Sequence, residues 1–121
     1  MIFEYTDMNK RPAHCDIEKI GNVVIMTELA NNTGASVTNS CEYIAKQYTA
    51  QNDLSVNDLI FVERYDYRSY ETRKPHVKNA ELPNYTLVTF TDSETMRGKL
   101  TPNWKHLSMD DFNALIKSKN A

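Results

Sequence analysis

Glycine, proline and cysteine are scarce in this chain: of 121 residues, 3 are Gly, 4 are Pro and 2 are Cys. So little Gly and Pro excludes collagen-like, linker-like and low-complexity chains. Two cysteines, Cys15 and Cys41, do not make a disulfide framework, and the expectation is a cytoplasmic, bacterial-type protein with reduced thiols. Long apolar runs are also missing. The longest, 23–26 and 59–62, hold four residues each, where a membrane-spanning helix needs about 20. No charged segment followed by an apolar stretch opens the chain, so no secretory signal and no membrane partner are expected. Charge of one sign is absent as well. With 14 Lys+Arg against 16 Asp+Glu the net charge is -2, which excludes a polybasic nucleic-acid scavenger but not a local basic patch. No CxxC, HxxxH or HExxH pattern occurs, so zinc is rejected and neither a metal nor a cofactor is expected.

What is present suffices for a core. Hydrophobic residues make up 40% of the chain and aromatic residues 10%. A chain of this mass buries roughly 13,000 Å² on folding, about two thirds of its extended surface. One domain over 1–121 is expected, with no need of disulfides or metal.

Periodicity predicts the elements. Residues 13 to 28 read as a β-hairpin, with Ala13-His14-Cys15-Asp16-Ile17 alternating, Ile20-Gly21-Asn22 as the turn and Val23-Val24-Ile25-Met26-Thr27 returning as a central strand. Val37, Cys41, Ile44, Ala45 and Tyr48 recur at helical spacing over 36–51, after a start rich in capping residues. Residues 59–62 and 85–91 read as further strands. A last helix starts at Ser108 and buries Met109, Phe112, Leu115 and Ile116. The expected class is α+β in ββαββα order: a small mixed sheet with two helices and one strand-helix-strand crossover. The segment from 65 to 83 is too long for an ordinary loop.

In a parallel strand-helix-strand unit, the loops after the strands meet at the strands' carboxyl ends, beside the helix N-terminus. Two features of the sequence fall there. Glu28 and Glu63 close the two strands, as candidates for a carboxylate pair that holds Mg²⁺ or does acid–base work. Thr33, Gly34, Ser36, Thr38 and Asn39 bring small hydroxyl and amide groups into the first turn, where free N–H groups and the positive helix pole suit an anion. The same residue types also serve simply to cap a helix. Glu63 to Lys78 then interleaves Tyr65, Tyr67 and Tyr70 with Arg64, Arg68, Arg73, Lys74 and Lys78, an alternation able to stack on bases and hold phosphates, or to pair its own charges in a solvated arm. Trp104, the single tryptophan, reads as a core anchor under the last helix in preference to a stacking platform. Cys41 lies on the apolar helical stripe and reads as a small buried hydrophobe, while His14 and Cys15 point to opposite strand faces and form no dyad.

The pattern Thr27-Glu28, Asn32-Thr33-Gly34-Ala35-Ser36-Val37-Thr38-Asn39, Glu42-Tyr43-Ile44-Ala45, Glu63-x-Tyr65, Leu87-Val88-x-Phe90 and Pro102-x-Trp104-Lys105 resembles a family of small uncharacterised bacterial proteins. The resemblance spans about 23 to 107. In that family proline is more frequent where Thr33 stands, and the strand end more often reads Glu-His-Tyr than Glu63-Arg64-Tyr65. It implies no function.

Three readings follow. The preferred one is a binding module in which Thr33, Gly34, Ser36, Thr38, Asn39, Arg64, Tyr65 and Arg68 hold a nucleotide or other anionic small ligand, with Arg73 and Lys74 closing over it. The second is a protein-interaction or homo-oligomer-forming domain that uses the Tyr-rich arm. The third is a Mg²⁺-dependent phosphoester-processing enzyme built on Glu28 and Glu63.

Overall fold

The computed structural model describes residues 1–29, 32–65, 84–93 and 99–120. Among these residues six strands and two α-helices follow one another as β1 (Ile2–Thr6), β2 (Pro12–Ile20), β3 (Val23–Glu28), α1 (Val37–Gln51), β4 (Ile60–Tyr65), β5 (Asn84–Ser93), β6 (Lys99–Leu107) and α2 (Met109–Asn120). A single 3₁₀ turn, Val56–Asp58, leads into β4. The strands form one sheet in sequence order, β1-β2-β3-β4-β5-β6. Only the β3–β4 pair is parallel, joined by the α1 crossover; the other pairs are antiparallel.

The α+β class, the mixed sheet, the two helices and the crossover agree with the expectation, and the ββαββα order is corrected. Two strands were missed, β1 before the first hairpin and β6 after β5. Both are edge strands with weak sequence signals. β1 alternates over five residues only, and β6 carries Pro102 and two lysines, a composition suited to an unpaired edge and atypical of a strand interior.

Helices cover both faces. The α1 stripe of Val37, Cys41, Ile44, Ala45 and Tyr48 packs against Phe3, Tyr5, Cys15, Met26 and Phe61. On the other face, Phe112 of α2 packs against Val23, Ile25, Val62 and Tyr85, with Met109, Leu115 and Ile116 half-buried beside them. All of β3 is buried because it lies between the two layers, which explains its unbroken apolar run. At the β2–β3 turn Gly21 has φ +59, and a Cβ there would lie 2.9 Å from the Lys119 carbonyl oxygen, so only glycine lets α2 end on this turn.

The β5–β6 hairpin extends past the start of β4. Val88 stands opposite Phe61, while β5 runs on to Ser93. Trp104 pairs with Val88 and therefore faces the α1 side of the outermost strand, where it is 49% exposed. The expected anchor under the last helix is corrected: Trp104 stands on the opposite face from α2.

Candidate functional site

The carboxyl ends of β3 and β4 meet the first turn of α1, as the crossover requires. Ser36 is the N-cap, and its hydroxyl oxygen accepts from the Asn39 amide at 3.3 Å. The first turn of α1 contains no acid of its own. The sheet supplies two. Buried Glu28 accepts from the Val37 amide at 3.0 Å, and the Thr38 hydroxyl donates to Glu63 in a short contact. Negative charge at the positive helix pole is thereby provided through tertiary structure.

The preceding loop is held from below. Asn32, 2% exposed, accepts from the amides of His14 and Gly34 and donates to Glu28 and the Ala35 carbonyl. Asp7 is equally central and was not singled out in the sequence. One of its oxygens accepts from the Asn9 and Arg11 amides within the β1–β2 turn, and the other reaches across to the Ala35 amide at 2.9 Å. These bonds, first of all that from Ala35, hold the Asp7 carboxyl below its ordinary pKa. The spacing Asp7-x-Asn9-Lys10 signals a turn; nothing in it signals the contact to Ala35. Gly34 fits so tightly that a Cβ would come within 2.5 Å of the Ala13 Cβ.

Accordingly the amides of Gly34, Ala35, Val37 and Asn39 donate to Asn32, Asp7, Glu28 and Ser36 of this chain. Glu28 and Glu63 do share one sheet face, but both are engaged as acceptors from α1, and neither lines the clefts described below. Among the described residues no group of three or more His, Cys, Asp or Glu is placed to hold a metal ion. Beneath this network Cys15 is pushed up to about 12 by burial and then by Glu28, and Cys41 to about 12 by burial and then by Glu63. Neither is an activated thiol. The Tyr5 phenol is raised for the same first reason.

Arg64 goes elsewhere, and its expected place over the helix start is corrected. Strand alternation sends Glu63 to the α1 face and Arg64 to the α2 face, since Arg64 pairs with Thr27 and Tyr85 while Glu63 pairs with Met26 of the α1-side core. There Arg64 lines a cleft of about 880 Å³ between α2 and the sheet. Ile20, Ile25, Phe112 and Ile116 supply its apolar surface. Phe112 stacks on Tyr85 with ring centroids 3.6 Å apart, which pins α2 at one wall. Lys117, Asn113 and Glu18 complete the lining. Lys117 and Asn113 carried no site signal, because a lysine near a helix C-terminus already has a reason to be there. Tyr65 ends β4 in backbone register with Asn84. Arg68, Arg73, Lys74 and Lys78 lie outside the described residues.

No protein-family model, curated protein or solved structure matches this chain. No described helix is long and apolar enough to cross a membrane.

Proposed function

We propose that this domain is a binding module for a small anionic ligand with an apolar body, held between α2 and the sheet. The observation that carries this reading is the placement of Arg64 from β4 and Lys117 from α2 in one cleft with a floor of Ile20, Ile25 and Ile116. An apolar pocket with few convergent polar groups is the usual form of a small-molecule site. A carboxylate or phosphate head would take charge-assisted bonds from the two cations and a further bond from the Asn113 amide. Glu18 in the same lining disfavours a second anionic group at its end. This keeps the anionic ligand class expected from the sequence and Arg64 as its residue. It moves the ligand from the α1 start, where internal acceptors take the amides of Gly34, Ala35, Val37 and Asn39, to the opposite face.

Thermal shift tests it, with aromatic carboxylates and nucleoside monophosphates as probes. A ligand at 100 times its Kd adds about 2.7 kcal/mol, on the order of 10 °C for a domain this size. The shift is expected to vanish in Arg64→Ala with Lys117→Ala. A panel that moves nothing, or a shift that survives both substitutions, overturns it.

A second reading, a homo-oligomer or protein-partner domain, is favoured by one observation. Trp104 is a large aromatic side chain left half-exposed on the outermost strand. Its mark would be a molecular mass that rises with concentration, accompanied by a blue shift of the tryptophan emission.

A further inference from the structure

A second pocket lies at the opposite end of the sheet from the α1 start. A space of about 430 Å³ lies where the start of β4 meets β5, between the 3₁₀ turn and α2. Five elements contribute to its lining: the 3₁₀ turn through Val56 and Asn57, the start of β4, β5, Leu107 of β6 and Leu115 of α2. Phe61 and Val88, 1% and 2% exposed, form its buried floor. Half-buried Leu59, Leu87, Phe90, Leu107 and Leu115 complete the apolar lining, with Leu59 and Phe90 from the α1 side of the sheet and Leu87, Leu107 and Leu115 from the α2 side.

No described residue of the lining is charged, although 25% of the chain is. The Arg64 cleft, with two cations and a carboxylate, is of different character. A charged group brought into the second pocket would lose its hydration and meet no counter-charge. The volume falls within the roughly 300–1,000 Å³ of small-molecule sites. An apolar lining gains by covering its surface with an apolar molecule in place of water.

We infer that this pocket binds an uncharged small molecule with a hydrocarbon body and at most one or two polar groups, which would meet Asn57 and Thr89. The inference is independent of the anionic-ligand reading.

The test is titration of the full chain with N-phenyl-1-naphthylamine, a neutral fluorophore whose emission rises in apolar surroundings. Saturable binding at one site is expected. Leu115→Trp and, separately, Leu59→Trp fill the space from two different elements and should each weaken binding by at least about tenfold, about 1.4 kcal/mol. Arg64→Ala should leave it unchanged. In the unsubstituted chain the methyl resonances of Leu59, Leu87, Leu107 and Leu115 should move on adding the probe, while those of Val24 and Ile44, deep in the core between α1 and the sheet, stay in place. Absence of saturable enhancement, enhancement that survives both filling substitutions, or shifts centred on other methyls overturns the inference.

Discussion

The carboxylate of Glu28 accepts the backbone N–H of Val37 at 3.0 Å, so the last residue of β3 caps the first residue of α1. A helix otherwise leaves its first N–H groups without partners, and here one is satisfied by a strand-borne acid. Replacing Glu28 with Ala should remove the acceptor for both Val37 and the Asn32 amide group while that region stays buried. A loss of about 1–3 kcal/mol is expected. Glu28→Gln keeps an acceptor oxygen and loses the charge at the helix pole, a smaller loss of about 0.3–1 kcal/mol. Urea unfolding of the two variants checks the order. Equal losses, or none in the alanine variant, would remove the capping role.

How much of this could be read from the residues alone divides along physical lines. The α1 stripe, the central strands β3 and β4 and the Ser108 cap were legible, because periodicity and capping are local signals, whereas the α1 cap was narrowed only to a run of capping residues that includes Ser36. The location of the Glu28–Glu63 edge was legible too, since a strand-helix-strand unit brings those ends together. Two things were not. Asp7 and Ala35 are 28 residues apart, and no local pattern encodes their bond. The separation of Glu63 from Arg64 was encoded by the alternation of β4, but grouping a charged run by its nearness in sequence concealed it. Edge strands escaped for another reason: the lysines and proline that keep β6 from pairing onward are the residues that weaken a strand signal.

Asp7 should make stability depend on pH in the acid range. Its carboxyl titrates below the ordinary 3.8 in the folded protein because the Ala35, Arg11 and Asn9 amides favour the ionised form. A depressed folded value means the unfolded chain binds the proton more readily. The stabilisation is therefore complete above pH 3.8 and is lost as pH falls through the folded value. Asp7→Asn should be less stable than the unsubstituted chain at neutral pH, and the gap should narrow on acidification below that point. Unfolding curves taken from pH 7 down to about pH 2.5 read this directly. Parallel curves for the two proteins would show that Asp7 does not carry the dependence.

Gly34 should tolerate no side chain while Ala13 is present. A Cβ at 34 would stand 2.5 Å from the Ala13 Cβ and 3.0 Å from a carboxylate oxygen of Asp7. Ala13 sits in β2 and cannot swing away, so the loop has to shift and its bond from Ala35 to Asp7 stretches. Gly34→Ala should lose about 1–3 kcal/mol. Ala13→Gly opens the space, and the double variant should be more stable than the sum of the two single losses predicts. A coupling near zero in that cycle would place the clash elsewhere.

Cys15 and Cys41 should report opening of the core. Cys15 is buried under α1 and Cys41 on its inner face, at 0% and 1% exposure, and burial together with Glu28 or Glu63 pushes each thiol up to about 12. At pH 8 almost no thiolate exists in the folded state, and the reagent has no path to it. Ellman's reagent should therefore react with neither cysteine on mixing and with both in denaturant. In native buffer the slow reaction should follow the opening of the α1 layer. Glu28→Ala removes a cap from α1 and so should speed labelling of Cys41 on its first turns, while Arg64→Ala, on the far face, should not. Rapid labelling of either thiol in the unsubstituted chain would mean that the α1 layer is not closed as described, and the capping network would lose its structural basis.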